Sequence, residues 1–310
     1  MKGCLITHIA DPDGAGPIIL SKLVFDNMDY YSCEIAEVDE TLKKAISLDY
    51  DFIYITDLNI SEEMAEYINN DENLKNKIKI FDHHQSKEYL NKYSFINVVV
   101  EKDGKKECGT TIYYEFLKEL TNNEILNKNS LLIMIEYIRQ SDTWDFTEEL
   151  KDDALMFRNL YDIYGRENYI EHFYNFVLEN EIFEFTGVEK ELIRIEDERA
   201  LRYIEEKLKH VKKAKINGIP VGIVFAEQNR SMLGHYMAER FTDIDIAIII
   251  NVDRSVSYRA NKEEVDTNIL AVACGGGGHK HASGSPLPKD LQEKITEYIF
   301  KDVKWEELCK

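Results

Sequence analysis

Four groups of acidic and histidine side chains in the first half of the chain are of the types that bind divalent metal ions. They are His8-Ile9-Ala10-Asp11-Pro12-Asp13-Gly14, Asp57, Asp82-His83-His84 and Asp142. Clustered carboxylates repel one another unless a cation supplies a counter-charge. Oxygen and imidazole ligands together suit manganese, with magnesium, cobalt or iron as alternatives. Because one ion cannot use six or more ligands and still hold water and substrate, we expect two ions about 3.5–4 Å apart, bridged by one carboxylate.

Each of these groups alone has a simpler interpretation. An aspartate such as Asp57 at the end of a strand is most often a helix N-cap. Asp11-Pro12-Asp13-Gly14 alone is compatible with an ordinary turn, and one histidine of an adjacent pair often only forms hydrogen bonds. Four such groups in order, each at the end of an apolar element, favour a metal centre instead. Two ions would lower the pKa of a shared water and steady charge on phosphorus, so the sequence predicts a phosphoesterase.

A run of four glycines, Gly275–Gly278, is the second unusual segment, and His279 and Lys280 follow it directly. Glycines allow positive φ angles, so successive backbone N–H groups can converge on an anion. We therefore expect a phosphate or oxyanion site here rather than a flexible loop tip. Arg259, at the end of a short predicted strand, could add a bidentate phosphate contact, although its position is also compatible with a surface salt bridge.

Alternating apolar and helix-like segments in the first half predict the elements that position the metal ligands. The predicted strands are Cys4–Thr7, Phe52–Thr56, Lys79–Phe81 and Phe95–Val100, and the predicted helices are Pro17–Asp26, Glu62–Asn69, Thr110–Leu120 and Ser130–Gln140. This order favours a mainly parallel sheet with helices on both faces, whose ligands bind beyond the carboxyl ends of the strands. If the first three strands are neighbours, three ligand groups meet at one edge, and the end of a helix adds Asp142.

The pattern changes after Thr147. Charged and aromatic residues recur at helical spacing from about residue 155 to 213, which predicts a helical connector. A second α/β unit follows, with strands predicted at Ile219–Phe225, Ile244–Asn251 and Val256–Arg259 and helices at Ser231–Phe241 and Asp290–Lys301. The fold class is therefore α/β, with two α/β parts joined by helices.

Composition excludes several classes of protein. The 310 residues include 58 acidic and 38 basic ones, for a formal charge of −20, which argues against a protein that tracks along duplex nucleic acid. A small phosphorylated substrate in a locally positive pocket remains compatible with that charge. No apolar run reaches the ~18 residues of a membrane span, so we expect a cytoplasmic protein without membrane partners. Five cysteines without Cys-x-x-Cys spacing predict reduced, mostly buried thiols.

The metal motifs resemble those of the DHH phosphoesterase superfamily, which is named for the triplet that stands here as Asp82-His83-His84. His8-x-x-Asp11-x-Asp13-Gly14 is similar to the first metal motif of that family. Asp57 matches the second motif, and Asp142 in Ser-Asp-Thr matches the fourth. Gly276–His279, continuing to Ala-Ser-Gly, is similar to the Gly-Gly-Gly-His motif of the associated C-terminal substrate-binding domain, called DHHA1.

This resemblance covers nearly the whole chain and implies three parts. Residues 1–147 would form the parallel-sheet DHH domain that binds metal and carries out catalysis. Residues 148–213 would form the helical connector, and residues 214–310 the smaller α/β DHHA1 domain that binds substrate. The Asp-Pro-Asp-Gly-Ala-Gly form of the first motif is more similar to the oligoribonuclease B-like branch than to the nanoRNase and pAp-phosphatase branch. In that second branch three residues, rather than two, usually separate the first histidine from the first aspartate.

The resemblance also implies roles for individual residues around two ions, expected to be manganese with magnesium or cobalt as alternatives. One ion would be held by His8, Asp11 and Asp57, and the other by Asp13, Asp57, His83 and Asp142. His84, with Asp82, would be catalytic, facing the substrate phosphate or protonating the leaving group. The substrate would be bound by Arg259, Gly276, Gly277, Gly278, His279 and Ser283.

The expected activity is hydrolysis of short oligoribonucleotides or linear dinucleotides to nucleoside 5′-monophosphates by a water that two metal ions activate. Alternatives within the enzyme class are removal of the 3′-phosphate of pAp, hydrolysis of cyclic dinucleotides, and cleavage of pyrophosphate or polyphosphate. The alternative outside it is a nucleotide sensor that has lost catalysis. The expected partner is short RNA or a dinucleotide, and a homodimer is one option for an oligomeric state that the sequence leaves open.

Overall fold

The computed structural model describes residues 1–253 and 255–302. The chain divides into two compact units, one from Met1 to Ile193 and one that begins at Arg194. This division falls inside the segment predicted as a connector, so its first helices belong to the first unit, while the three-part assignment of roles stays a prediction. Within the described ranges, every helix is too short or too polar to cross a membrane.

A five-stranded parallel sheet forms the centre of the first unit, with the strand order β2-β1-β3-β4-β5. The strands are β1 (Gly3–His8), β2 (Met28–Cys33), β3 (Phe52–Thr56), β4 (Ile78–Asp82) and β5 (Ile96–Val98), and β6 (Glu101–Lys102) and β7 (Lys105–Lys106) form a small separate hairpin. The predicted neighbours β1, β3 and β4 do lie side by side, so their carboxyl ends share one edge of the sheet.

Helices cover both faces of this sheet, as predicted. The helices are α1 (Pro12–Val24), α2 (Val38–Ile46), α3 (Glu62–Asn69), α4 (Glu72–Lys77), α5 (Gly109–Leu120), α6 (Asn129–Thr143), α7 (Lys151–Tyr164), α8 (Arg166–Glu179) and α9 (Gly187–Lys209). Successive residues of a strand point to opposite faces. Leu5 of β1 therefore packs in a core with α1 and α5–α8, whereas Cys4 and Ile6 pack in a second core with α2 and α3.

Two elements of this unit differ from the sequence prediction. The strand β2 was missed because it lies at the sheet edge, is mostly half-buried and contains no apolar run and no regular alternation of polar and apolar residues. Helix α1 begins at Pro12 rather than Pro17, because the side chain of Asp11 caps it by accepting a hydrogen bond from the backbone N–H of Gly14. Pro17 lies inside the helix, where it cannot donate to the carbonyl oxygen of Asp13, and that oxygen accepts from the hydroxyl of Thr110 instead, at 3.2 Å.

The second unit contains a six-stranded sheet with the order β12-β13-β11-β10-β9-β8. Its strands are β8 (Lys212–Ile216), β9 (Ile219–Phe225), β10 (Ile246–Asn251), β11 (Ser255–Arg259), β12 (Gly277–His279) and β13 (Ala282–Pro286). Its helices are α10 (Arg230–Arg240), α11 (Thr267–Ala273) and α12 (Leu291–Phe300). Only β9 and β10 run parallel among the paired strands, and α10 packs on one face while α11 lies on the other. The strands and helices predicted for this half are present.

Candidate functional site

The shared edge of the first sheet brings the predicted metal ligands together. His8 ends β1, Asp57 follows β3 directly, and Asp82 ends β4. Donor atoms of these residues and their neighbours form three groups whose members lie within 4.8 Å of one another. The three groups are His8 with Asp11 and Asp57; Asp13 with His83 and Asp142; and Asp57 with Asp82, His83 and His84.

The first group is held by the start of helix α1. Asp11 uses one carboxylate oxygen to cap the helix and places the other 3.1 Å from Nδ1 of His8. The same Nδ1 lies 3.5 Å from Oδ2 of Asp57, so His8 stands between two carboxylates. The other ring nitrogen of His8 is 3.6 Å from a carboxylate oxygen of Glu34, a residue that the sequence pattern did not single out.

The second group surrounds Nε2 of His83. That nitrogen lies 3.2 Å from Oδ1 of Asp57, 3.5 Å from Oδ2 of Asp142 and 3.9 Å from Oδ2 of Asp13. Asp142 lies in the last turn of α6, as expected for a ligand contributed by the end of a helix. Asp13 is only 1% exposed.

Asp57 links the first group to His83 of the second group, because its two carboxylate oxygens point to different partners. Oδ1 faces His83 and Oδ2 faces His8. The residue is buried, and its backbone φ of 54° is in the left-handed region that few non-glycine residues adopt. This arrangement fits a carboxylate that bridges two ions.

Asp82 contacts both of the histidines that follow it. Its Oδ1 lies 2.7 Å from Nδ1 of His84 and also accepts the backbone N–H of His83, at 2.9 Å. Its Oδ2 accepts a hydrogen bond of 3.1 Å from the side-chain amide of Asn59. With Nδ1 of the half-exposed His84 ring engaged, Nε2 is the nitrogen left to act on another molecule.

Both metal-facing imidazoles are surrounded by negative charge. Hydrogen bonds to Asp11 and Asp57 raise the pKa of His8 to about 10. Burial alone would lower the pKa of His83, but Asp57 and the other carboxylates around its ring outweigh it and raise the pKa to about 10. Both pKa shifts therefore favour the protonated, positively charged form of the rings when no cation is bound.

The pKa values of the carboxylates also reflect the burial and the crowded charges of this cluster. Burial, reinforced by Asp57 and Asp142, raises the pKa of Asp13 well above its ordinary value. Burial also raises the pKa of Asp142 to about 6. For Asp57, hydrogen bonds from His8 and His83 overcome the effect of burial, and the pKa is lowered.

The donor set fits divalent cations. Oδ2 of Asp142 is buried and accepts no hydrogen bond within the described residues, although Nε2 of His83 lies 3.5 Å away, so this oxygen is available to a cation. Carboxylate oxygens combined with imidazoles are ligands for manganese, magnesium or cobalt. No cysteine is among the grouped residues, which agrees with the expectation that this is not a structural zinc site.

Adding Mn²⁺ to metal-free protein should therefore raise the melting temperature. A ligand at about a hundred times its Kd contributes about 2.7 kcal/mol, which corresponds to a shift of about 5 °C or more for a unit of this size. Differential scanning fluorimetry with and without EDTA measures the shift. Asp142→Asn should show a smaller shift than the wild type, and equal shifts in the two proteins would contradict the assignment of Asp142 as a ligand.

Helix α5 positions Asp13, which sequence reasoning did not foresee. The backbone N–H groups of Gly109 and Thr110 donate to the two carboxylate oxygens of Asp13, at 2.7 and 2.8 Å. A Cβ on Gly109 would lie 2.7–2.9 Å from Cβ, the backbone N and Cα of Asp57, so only glycine fits. The Gly-Thr-Thr sequence before a predicted helix was the available signal.

In the second unit, Arg259 and His279 lie on the same face of the sheet. The strand register places Arg259 opposite Ala282, and Ala282 opposite His279. Directly opposed residues point their side chains to the same face, and the two outer residues are about 10 Å apart because they are two strands apart. The structure thus brings together the two side chains predicted to bind phosphate.

The second half of the glycine run, Gly277 and Gly278, lies in strand β12, and Gly275 and Gly276 lie in the connection before it. Gly275 and Gly278 have φ angles of 78° and 141°, and a Cβ on Gly278 would lie 2.6 Å from Cα of Ser283 in the paired strand. The backbone N–H of Gly276 donates to the carbonyl of Ala271. The hydroxyl of Ser283 is buried and donates to Thr267 at 2.8 Å. Binding of substrate by this run and by Ser283 stays a prediction.

Two residues beside Arg259 were not selected from the sequence. Nη2 of Arg259 donates to the hydroxyl of Ser231 at 3.2 Å, and Nη1 of Arg230 donates to the hydroxyl of Ser255 at 2.7 Å. Burial, together with the charge of Arg230, lowers the pKa of Arg259. In the part of the chain that the structure describes, neither guanidinium forms an ion pair, so two positive groups flank the start of α10. Arg230 directly precedes a predicted helix and Ser231 begins it, and this position was the signal available in the sequence.

Sequence comparisons place these motifs among known proteins. Residues 2–137 match the profile of the DHH family, N-terminal domain. Oligoribonuclease NrnB of Bacillus subtilis (strain 168) is 30% identical over 299 residues, which cover 94% of this chain and 74% of that protein. A 3′,5′-cyclic-nucleotide phosphodiesterase of Helicobacter pylori (strain ATCC 700392 / 26695) is 24% identical over 350 aligned positions, which cover 96% of this chain and 98% of that protein.

Among solved structures, the fold is similar to that of PggH, a pGpG-specific phosphodiesterase of Vibrio cholerae. The TM-score is 0.52 at 13% sequence identity, and the match covers 97% of this chain and 98% of that one. At this identity the likeness concerns the fold alone. It supports the arrangement predicted from the sequence, in which a parallel-sheet domain is followed by helices and a smaller C-terminal sheet domain.

Proposed function

We propose that this chain, which belongs to the DHH family, hydrolyses short oligoribonucleotides or linear dinucleotides to nucleoside 5′-monophosphates. The observation that carries the proposal is Asp57, whose two oxygens face the two groups of ligands that a pair of divalent ions needs. The names of the oligoribonuclease and phosphodiesterase relatives support the same class of substrate.

The metal centre would take two divalent ions, for which manganese is the proposed identity. One would be held by His8, Asp11 and Asp57, and the other by Asp13, Asp57, His83 and Asp142. When bound, such ions supply an acidified water and positive charge for the phosphoryl oxygens. The protein itself contributes the ligands, of which the buried Asp13 is held in place by the backbone N–H groups of Gly109 and Thr110.

His84 is the proposed proton donor to the leaving oxygen. Its Nδ1 is fixed by Asp82, a carboxylate that is fully buried and itself held by Asn59. A histidine whose one nitrogen is anchored in this way presents the other in a defined direction, which is the arrangement that general acid catalysis needs. Asp82 then acts by orienting His84.

Recognition of the substrate is assigned to the second unit. Arg259 and His279 would bind a phosphate of the nucleotide, next to the backbone of Gly276, Gly277 and Gly278 and to Ser283. The shared face of Arg259 and His279 supports this assignment, as does the absence of a carboxylate partner for Arg259 among the described residues.

Arg259→Gln should raise KM for a dinucleotide about 10- to 100-fold and change kcat much less. The reason is the loss of a charge-assisted hydrogen bond to phosphate, worth about 1.5–3 kcal/mol. Steady-state kinetics with ApA measures the change. Arg240→Gln is a matched control, because Arg240 is exposed on the same helix as Arg230 and pairs with Glu205. A fall in kcat with unchanged KM would contradict the binding role.

A side-by-side turnover assay tests the proposed function as a whole. A linear dinucleotide, pAp, a cyclic dinucleotide and pyrophosphate are compared at equal concentration with Mn²⁺, Mg²⁺ and Co²⁺. We expect the dinucleotide to be cleaved fastest, with nucleoside 5′-monophosphate as product. Faster cleavage of pAp, the cyclic dinucleotide or pyrophosphate would assign the alternative activity, and nucleotide binding without hydrolysis under any metal would identify a sensor.

We also propose a cytoplasmic location. The thiols of Cys4, Cys33 and Cys108 are buried and free, and Cys274 is free and exposed, which is the state expected in a reducing compartment. Cys309 lies outside the described residues.

A further inference from the structure

Trp144 adopts a backbone conformation that its side chain disfavours. It ends helix α6 two residues after Asp142, with φ 54° and ψ 27° in the left-handed region. Helices commonly end with a residue in this conformation, but the residue is usually glycine, because a Cβ there meets the backbone. Strained residues of this kind cluster at functional sites.

Packing does not explain the tryptophan at this position. The residue is 67% exposed. Within the described ranges, its one ring contact is an edge-to-face pair with Phe146, at 5.5 Å between ring centroids and 90° between planes. A strained and mostly exposed indole gains little from burial, so packing within the described residues does not account for its presence, and its exposed ring is available to a partner.

A small cavity next to Trp144 leads to the metal ligands. Its volume is about 130 Å³, and the residues that line it include Asp11, Asp13, Asp142, Trp144 and Arg158. Its lining is mostly polar and charged, which suits a phosphate group held by metal ions better than the apolar faces of a nucleobase. A base attached to that phosphate would therefore lie outside the cavity, where the exposed ring of Trp144 is found.

Arg158 gives the same cavity a positive group. It lies on α7, is half-buried, and forms no hydrogen bond or ion pair with any residue in the described part of the chain. A guanidinium left without a partner beside acidic side chains is available to bind a phosphate oxygen.

We infer that Trp144 stacks on the nucleobase of the nucleotide whose phosphate lies at the metal ligands, and that Arg158 binds this phosphate. This inference rests on the proposed function and adds to it the residues that would bind the base and the phosphate. It gives the metal-binding unit its own nucleotide subsite, separate in sequence from the one assigned to Arg259 and His279. It also explains how the enzyme would prefer a base-bearing substrate over pyrophosphate.

Fluorescence tests the stacking directly. The chain has two tryptophans, Trp144 and Trp305, so in Trp305→Phe the emission comes from Trp144 alone. Titration with AMP in the presence of Mg²⁺ should quench that emission, because a stacked base quenches an indole, whereas ribose 5-phosphate should not. Equal effects of the two compounds, or no effect of AMP, would overturn the inference.

Steady-state kinetics tests whether the proposed stacking makes the enzyme prefer substrates that carry a base. Stacking on an aromatic ring contributes about 1–3 kcal/mol per base, so Trp144→Gly should lower kcat/KM for ApA relative to an abasic analogue by about 5- to 150-fold. Trp144→Phe should recover part of this ratio. Glycine suits the left-handed backbone, so thermal stability should not fall, which separates loss of stacking from loss of folding. An unchanged ratio in Trp144→Gly would contradict stacking.

The role of Arg158 predicts a different pattern. Arg158→Gln should lower kcat/KM for ApA and for the abasic analogue alike, because both carry the phosphate. An effect confined to ApA, or no effect on either compound, would contradict phosphate binding by Arg158. If the wild-type protein hydrolyses no nucleotide, the proposed function fails, whereas the AMP titration still tests the stacking by itself.

Discussion

Asp57→Asn is expected to lower kcat/KM for a dinucleotide about a thousandfold or more, with Mn²⁺ present. Asp57 faces His8 with one oxygen and His83 with the other, and an amide offers only one oxygen in place of the two. Losing a bridging ligand removes several kcal/mol of charge stabilisation at the reacting phosphate, and about 4 kcal/mol corresponds to a thousandfold. Steady-state kinetics with ApA measures the loss, and inductively coupled plasma mass spectrometry should find fewer than two ions bound per chain.

A folding defect is the main alternative explanation for a loss of activity in Asp57→Asn. A measurement of folding and a control variant distinguish that defect from the loss of a bridging ligand. Far-UV circular dichroism of metal-free Asp57→Asn should match that of the wild type, although its melting temperature should be lower, because Asp57 is the shared partner of His8 and His83. Asp243→Asn is the matched control, since Asp243 is exposed and pairs with Lys213 in the second unit. Near-normal turnover by Asp57→Asn with two bound ions would contradict the bridging role.

Gly109→Ala is expected to weaken metal binding about 10- to 100-fold although it changes no ligand. The added Cβ would lie 2.7 Å from Cβ of Asp57 and 2.8 Å from its backbone nitrogen, so α5 must move away. That movement also withdraws the N–H groups that hold Asp13. Loss of groups that orient a ligand typically costs this much in metal affinity or activity.

Isothermal titration of Mn²⁺ into metal-free Gly109→Ala measures the affinity. Gly187→Ala is the matched control, because a Cβ on Gly187 would meet no atom within 4 Å and its backbone is not in the left-handed region. We expect Gly187→Ala to bind Mn²⁺ as the wild type does. Wild-type affinity in Gly109→Ala would show that the contact between α5 and Asp57 does not position the site.

The sequence sufficed to predict the parallel order of the first sheet and the meeting of the ligand groups at its edge. Each group is a short motif next to an apolar strand, and parallel strands place their ends together. Asp142 was also found from local sequence, because it follows an apolar helix. Helix α1 was predicted to start too late, since Pro17 was taken as its first turn and Pro12 was not.

Contacts between distant parts of the chain were not predictable in the same way. The hydrogen bonds from Gly109 and Thr110 to Asp13 join residues 96 and 97 positions apart, and no local pattern encodes them. Arg158 lies in the helical segment that looked like a connector, where an arginine is usually a solvated surface residue. Strand β2 lacked an apolar run because an edge strand needs fewer buried side chains.

The wide spacing of the ligands along the sequence also determines when the site can form during synthesis of the chain. Asp142 leaves the ribosome 134 residues after His8. At ordinary rates of synthesis, about 5–20 residues per second, the interval is on the order of ten seconds. During that time the growing chain already carries His8, Asp11 and Asp57 but has no helix α6 to complete the second group. The nascent chain therefore carries every ligand of the first group long before it carries Asp142, and the complete centre can form only after α6 has been made.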